Sequence, residues 1–190
     1  MQDQVPQLRV HPRLFRPVVT TPKPVTILVV YDRKNSAIED LARAAAEGVE
    51  STGAAVTLKR ITEATQADLL AAGGLLLGSP NWSGITGSLK TWLDDQGDLW
   101  EDGSLAGKPA AAFTSGSGQH SGLEMTLLQM LHWMLACGMV VVGLPWGDPM
   151  RNSGSYYGAT AVGDVTKEDL AQARRLGARL AAVAAKLAQA

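Results

Sequence analysis

A regular alternation of short apolar runs with helix-like segments constrains this chain more than any other feature. The apolar runs carry β-branched and aliphatic side chains at consecutive positions, which is typical of strands buried on both faces of a parallel sheet. Five such strands are predicted, over residues 25–31, 54–60, 73–80, 108–116 and 139–145. Because helical segments separate them, the pattern predicts an α/β fold with a doubly wound, five-stranded parallel sheet in the order 2-1-3-4-5.

The segments between the strands show the apolar spacing of helices that pack one face on a sheet. Helices are predicted over residues 35–53, 65–73, 87–95 and 121–138, and from Thr166 to near the end of the chain. Ser-x-x-Glu patterns at 36–39 and 121–124 are capping boxes, which predict where two of these helices begin. Strand–helix units in this number and order favour a flavodoxin-like domain.

Residues 1–24 differ from the rest of the chain in their high proline content and scattered basic residues. They are predicted to form an N-terminal extension that is extended or disordered, with an arm packed on a partner subunit as the alternative. The flavodoxin-like domain is then predicted over residues 25–190. The extension lacks the apolar run and cleavage site of a secretory signal, so we expect a cytoplasmic protein without membrane insertion.

Charge and cysteine content exclude several classes of function. The formal net charge is −1, whereas a nucleic-acid binder is expected to carry an excess of basic residues. It also differs from the acidic surface with which one-electron carriers dock on basic partners. A single Cys excludes an intramolecular disulfide framework, and three scattered His residues predict no metal site.

Ligands of open α/β sheets bind outside the carboxyl ends of the strands, so three loops are the candidates for a site. They cover residues 32–37, 80–87 and 115–122. The third is rich in glycine and precedes a helix, which suits close approach of a ligand to backbone N–H groups, although a plain turn explains it equally well. In the second, Trp82 has no obvious core to fill, and it either stacks on a planar ligand or packs on its own loop or another subunit.

Four segments together resemble a known family, the FMN-dependent NAD(P)H:quinone oxidoreductases of the WrbA type. They are GSPNWSGITGSLKTWLDDQGDLW (78–100), AGKPAAAFTSGSGQHSGLEMTL (106–127), GMVVVGLP (138–145) and YGATAVG (157–163). The resemblance implies an oxidoreductase that binds FMN and passes two electrons from NAD(P)H to a quinone. It also implies a homodimer or homotetramer whose sites are completed by neighbouring subunits.

The same resemblance implies roles for individual residues. Trp100 would lie beside the quinone and nicotinamide pocket, and His120 would donate a hydrogen bond or a proton to the flavin or quinone. The residues that would bind FMN are Arg33, Lys34, Asn35, Ser36, Ala37, Ile38, Pro80, Asn81, Trp82, Ser83, Gly84, Ser115, Gly116, Ser117, Gly118, Gln119 and His120.

The chain departs from the family pattern in two regions, the phosphate loop and the end of the helix predicted over residues 121–138. The phosphate loop of the family reads Ser/Thr-x-x-Gly-x-Ile/Thr, whereas here Arg33 replaces the first hydroxyl and Ser36 replaces the glycine. Arg33 and Lys34 would add charge-assisted bonds to a phosphate, or they are an exposed basic pair. Cys137 stands where the family often has a flavin-facing His, and we interpret it as a small buried residue.

The altered loop keeps two alternative functions open. One is a flavodoxin-type FMN electron carrier. The other is a flavodoxin-like protein that has lost FMN and acts as a structural or binding protein.

Overall fold

The computed structural model describes residues 25–33, 36–150 and 154–189. The extension predicted over residues 1–24 lies outside the described residues, so the predicted division at residue 24 stays a prediction. The strands are β1 (Thr26–Tyr31), β2 (Ala55–Arg60), β3 (Gly74–Pro80), β4 (Pro109–Gly116), β5 (Val140–Val141) and β6 (Gly158–Val162). The helices are α1 (Ala37–Glu50), α2 (Gln66–Ala71), α3 (Gly87–Asp94), α4 (Gly97–Glu101), α5 (Leu123–Ala136) and α6 (Lys167–Leu187), with a 3₁₀ turn at Asp148–Met150.

The sheet confirms the predicted fold class and strand order. All neighbouring strands run parallel, in the order β2-β1-β3-β4-β5. The number of strands differs from the prediction, because two short strands share the position beside β4. Strand β5 pairs with the first two residues of β4, and β6 pairs with its second half, from Ala112 opposite Gly158 to Gly116 opposite Val162.

A glycine lets the chain return to the sheet at β6. A Cβ atom on Gly158 would lie 2.0 Å from the carbonyl oxygen of Ala112, so no larger residue fits this approach. The segment between the fifth predicted strand, which ends at residue 145, and the last predicted helix therefore contains an additional strand, β6.

Apolar side chains of the central strands alternate between two cores. Ile27 and Val29 of β1 pack with α1 and α6 on one face of the sheet. Leu28 and Val30 pack on the other face, with α2, α3 and α5. This two-sided burial, with helices on both faces, is what the continuous apolar runs predicted. No helix in the described part of the chain is both long enough and apolar enough to cross a membrane.

The helix starts divide into those that use a capping side chain and those that do not. Thr65 and Thr166 each form a complete capping box, at the starts of α2 and α6. Ser36 is the N-cap of α1, but its side chain makes no capping hydrogen bond. The box predicted at 121–124 is wrong, because α5 begins after Gly122, a residue in the left-handed region (φ +92°). One further helix, α4, lies between the helix predicted over residues 87–95 and the strand predicted over residues 108–116.

Candidate functional site

Three loops lie at the carboxyl edge of the sheet, above adjacent strands. We call them loop 1 (Asp32, Arg33 and Ser36, between β1 and α1), loop 2 (residues 81–86, after β3) and loop 3 (residues 117–122, after β4). Tyr31 stands opposite Gly78, and Pro80 stands opposite Ser115, so the strands end side by side. The predicted site residues of the three loops, as far as they are described, are therefore brought to one edge.

Asn81 joins loop 2 to loop 3. Its backbone N–H donates to the carbonyl oxygen of Ser115 at 2.7 Å. Its side-chain Nδ2 donates to the carbonyl oxygen of Ser121 at 2.9 Å, and its Oδ1 accepts from the backbone N–H of Gly84 at 3.1 Å. Because both ends of the carboxamide are engaged, the side chain of Asn81 positions the two loops.

Helix α5 anchors loop 2 from outside, through residues that the sequence analysis missed. The hydroxyl of Thr126 donates to Oδ1 of Asn81 at 3.0 Å. Oε1 of Gln129 accepts from the backbone N–H of Ile85 at 2.8 Å. One signal was available in the sequence: Thr126 is a polar residue among the buried, otherwise apolar positions of α5. Gln129 follows three residues later, on the neighbouring turn of the helix.

A buried carboxylate joins loop 1 to loop 2, and this residue was also missed as a functional candidate. Asp32 is only 6% exposed. Its Oδ2 accepts a hydrogen bond from the hydroxyl of Thr86 and another, at 2.7 Å, from the hydroxyl of Ser88. The hydroxyl of Thr86 also accepts from the backbone N–H of Leu89 at 3.1 Å, which caps α3. The start of α3 is therefore fixed to the end of β1.

Arg33 and Trp82 form a second contact between loops 1 and 2, on the solvent side. The guanidinium carbon of Arg33 lies 4.5 Å from the centroid of the Trp82 ring, within the range of a cation–π interaction. Arg33 has a φ of 72°, which non-glycine residues rarely adopt. The Trp82 side chain is 65% exposed, so it packs on no core.

The remainder of loop 1 leads into α1. The hydroxyl oxygen of Ser36 is buried and has no hydrogen-bond partner among the described residues. Ala37 and Ile38 form the first turn of α1, and Ile38 is fully buried, so it can offer only backbone groups to a ligand. Lys34 and Asn35, both predicted to bind the cofactor, lie outside the described residues.

A polar cavity of about 570 Å³ lies beside the start of α1, and Ser36 is one of its lining residues. Asp40 and Asp164 also line it, together with Arg43, whose guanidinium is paired with Glu39 at 2.6 Å. These carboxylates disfavour an anion inside the cavity. The cavity itself is therefore not a candidate site for an anion.

Loop 3 combines exposed residues with backbone N–H groups that have no backbone partner among the described residues. Ser115 is buried at the end of β4, whereas Ser117, Gln119 and His120 are exposed. The N–H groups of residues 117–120 donate no hydrogen bond to another backbone group in the described chain. The predicted role of this loop at the edge of a ligand matches these available donors.

The two residues predicted to take part in catalysis come from different elements. His120 lies at the exposed tip of loop 3, and Trp100 extends from α4, with 54% of its side chain exposed. The structure does not test the role assigned to any of these residues, and the assignments stay predictions. Cys137 is buried, as predicted, and burial raises the pKa of its thiol.

Tyr31 provides a neutral hydrogen-bonding group directly beneath loop 1. Burial is the largest cause of the raised pKa of its hydroxyl, and the charge of Glu39 raises that pKa further. The phenol therefore stays protonated at neutral pH. It adds no negative charge to this end of the site.

A groove of about 580 Å³ runs along the outer side of loop 2, between α3 and α5. Ser83, Ile85, Leu93 and Trp133 are among its lining residues. It borders loop 2 but neither loop 1 nor loop 3, so it is a surface next to the site and not the site itself.

Comparisons with known proteins show which family this chain resembles. The family model of NADPH-dependent FMN reductases matches residues 59–147. A protein of Archaeoglobus fulgidus named NAD(P)H dehydrogenase (quinone) is 35% identical over 187 residues, which is 85% of this chain and 98% of the relative. A protein of Azorhizobium caulinodans with the same name is 37% identical over 194 residues, again 85% and 98% of the two chains.

Solved structures show the same fold. A flavodoxin, WrbA-like protein from Agrobacterium tumefaciens superposes with a TM-score of 0.71 at 24% identity, covering 85% of this chain and 98% of that one. A flavodoxin from the domain Archaea gives a TM-score of 0.64 at 21% identity, covering 85% and 99% of the two chains.

Proposed function

The chain belongs to the NAD(P)H dehydrogenase (quinone) family, and on this premise we propose that it is an FMN-dependent oxidoreductase that passes two electrons from NAD(P)H to a quinone. The resemblance drawn from the loop motifs is thereby confirmed. The single observation that carries the proposal is the identity of 35% over almost the whole length of the relative.

The residues at the carboxyl edge fit FMN at both of its ends. Towards the phosphate, the orphaned hydroxyl of Ser36 lies at the start of the long helix α1, and the guanidinium of Arg33 is three residues away along the chain. Towards the ring, Trp82 offers an exposed aromatic side chain. A buried hydroxyl without a partner is costly, and a phosphate oxygen would remove that cost.

We assign the binding of FMN to all three loops. Loop 1 would hold the phosphate through Arg33, Ser36 and the N–H groups that begin α1. Loop 2 would place Trp82 and Ser83 beside the isoalloxazine ring. Loop 3 would donate its N–H groups, from Ser117 to His120, to the polar edge of the ring.

Bound FMN would supply the two-electron chemistry, which no side chain of this site can carry out alone. The protein's own contribution is to bind and orient the flavin and to place NAD(P)H and then quinone against it. Asn81 and Gln129 hold loop 2 in position for this purpose. His120 is assigned as the proton or hydrogen-bond donor to the flavin or quinone, and Trp100 as a wall of the pocket that both substrates use.

A direct assay tests this function. The purified full-length chain is supplied with FMN and mixed with NADH or NADPH and benzoquinone, and nicotinamide oxidation is followed at 340 nm. We expect turnover that needs both FMN and quinone. A chain that binds FMN but oxidises neither nucleotide with any quinone contradicts the proposal. Acceptance of electrons only through a separate reductase would indicate a carrier, and failure to bind FMN would indicate a relative that has lost its cofactor.

We further propose that the chain forms a homodimer or homotetramer in the cytoplasm. Helix α5 supports this, since Met125, Leu128 and Leu135 lie on one exposed stripe, with Met125 and Leu135 61% and 62% exposed. Together with the adjoining groove between α3 and α5, this is an apolar surface of the kind that a subunit covers. Light scattering should give an oligomer for the parent chain and a smaller species for Met125→Glu/Leu135→Glu. The control Leu70→Glu, at an exposed leucine of α2, should leave the mass unchanged.

A further inference from the structure

Arg33 is the residue at which this chain departs most from the phosphate loop of its family, and it is also the residue that contacts the ring-binding loop. Its guanidinium carbon, Cζ, lies over the Trp82 ring at 4.5 Å from the ring centroid. Its backbone is held in the left-handed region, with φ at 72°. A non-glycine residue in this conformation is an outlier, and such outliers concentrate where a site requires a particular direction of the side chain.

A guanidinium offers two different surfaces for binding. Its flat faces stack on aromatic rings, whereas its five N–H donors lie in the plane and point outward from the rim. A guanidinium that meets the Trp82 ring through its face keeps the N–H donors of its rim for another partner. No ion pair or hydrogen bond of Arg33 is present among the described residues, so the donors on the rim are not consumed by a neighbouring carboxylate.

Asp32, the preceding residue, does not neutralise Arg33 either. Its carboxylate is buried and takes hydrogen bonds from the hydroxyls of Thr86 and Ser88. The two neighbours therefore have separate tasks: Asp32 fixes loop 1 to loop 2 beneath the surface, and Arg33 lies across loop 2 on the outside. Both contacts join the expected phosphate end of the site to the expected ring end.

We propose that Arg33 is the residue by which this protein selects a flavin that carries a terminal phosphate, and that Trp82 orients its guanidinium for that purpose. The inference rests on the proposed function and extends it to a specificity determinant. The face of the guanidinium stays on Trp82 while two N–H groups of its rim donate to phosphate oxygens, as Arg does in bidentate contacts. A lysine at this position would keep the charge but would lose both the stack and the paired donors.

The test compares FMN with riboflavin, which lacks the phosphate but has the same ring. The apo form of the full-length chain is titrated with each flavin, and the quenching of flavin fluorescence gives the two dissociation constants. For Arg33→Met we expect FMN affinity to fall about 10- to 100-fold while riboflavin affinity changes less than about threefold, because two charge-assisted hydrogen bonds are lost. Arg33→Lys should retain part of the preference for FMN.

Substitutions of Trp82 test the orienting role. Trp82→Phe keeps an aromatic face, so the preference for FMN over riboflavin should persist. Trp82→Leu should weaken the binding of both flavins and should also lower the preference several-fold, since the guanidinium is no longer held. Arg179→Met is the matched control, because it removes the same charge from an exposed position of α6 about 18 Å along the helix from its start. It should change neither constant.

Three results overturn the inference. Equal weakening of FMN and riboflavin binding by Arg33→Met would make Arg33 a support of loop 2 and not a residue that recognises the phosphate. Arg33→Met with both constants unchanged would show that Arg33 does not touch the flavin. Tight and selective FMN binding by Trp82→Leu would remove the orienting role. If the parent chain binds neither flavin, the proposed function itself fails, and that result is distinct from the other three.

Discussion

The polar side chains of loop 2 and those of Arg33 and Ser36 in loop 1 are used in opposite ways. In loop 2 the carboxamide of Asn81 is engaged at both ends, and the N–H of Ile85 is taken by Gln129. In loop 1 the hydroxyl of Ser36 is buried without a partner, and the guanidinium of Arg33 meets a ring face. Loop 2 is therefore held by the protein itself, whereas loop 1, which we propose binds the phosphate, keeps polar groups that a ligand can satisfy.

This difference has a consequence for substitutions. Removing a polar group that the protein has already paired leaves its partners unsatisfied, so it lowers the stability of the apo protein. Removing a group that has no partner costs the apo protein little, and its effect falls on ligand affinity. Measuring both the stability of the apo protein and its affinity for flavin therefore distinguishes a paired polar group from an unpaired one.

The largest effect on stability is expected for Asn81→Ala. The substitution leaves the N–H of Gly84, the hydroxyl of Thr126 and the carbonyl of Ser121 without their common partner. We expect the free energy of unfolding of the apo protein to fall by about 2–3 kcal/mol, measured by urea denaturation. FMN and riboflavin should both bind more weakly, because loops 2 and 3 separate.

Ser83→Ala is the control for this prediction, since Ser83 is an exposed neighbour in the same loop. Its effect on unfolding should stay within about 0.5 kcal/mol. Equal stabilities of the two variants would mean that the carboxamide network does not hold the loops, and the contrast with loop 1 would disappear.

An intermediate effect is expected for Asp32→Ala, because Asp32 belongs to loop 1 but is paired with loop 2. Losing an acceptor of two hydroxyl groups at a buried position should lower the free energy of unfolding by about 1–2 kcal/mol. A double-mutant cycle with Ser88→Ala should give a coupling of about 1 kcal/mol. Additive losses would show that the carboxylate and this hydroxyl act independently.

Local patterns in the sequence were enough for the framework of the site. Strand order follows from apolar runs and the helices between them, and Trp82 was singled out because a loop offers it no core. Both signals involve residues close together in the chain. The three loops were located correctly for the same reason, since they follow directly from where each strand ends.

Contacts between distant residues could not be predicted in this way. Asp32 meets Thr86 and Ser88 across 54 and 56 residues, and Gln129 meets Ile85 across 44, so no spacing reveals them. The two Ser-x-x-Glu patterns look alike in the sequence, yet neither forms a capping box, and the reason differs between them. Ser121 precedes a left-handed glycine and donates to Gly118, and Ser36 leaves its hydroxyl unused.

The smallest effect on stability is expected for Ser36→Ala, and it is the sharpest test of the comparison. An N-cap serine replaced by alanine normally costs about 1 kcal/mol, but the hydroxyl of Ser36 makes no capping bond. Removing a buried, unpartnered hydroxyl should leave the free energy of unfolding unchanged or raise it by up to about 1 kcal/mol. FMN affinity should fall about 3- to 10-fold while riboflavin affinity is retained, because one bond to phosphate is lost.

Thr166→Ala, which breaks a complete capping box on α6, should do the reverse, lowering stability by about 1 kcal/mol without changing FMN affinity. Equal destabilisation by the two variants would show that Ser36 caps α1 in solution, and loop 1 would then be as self-sufficient as loop 2.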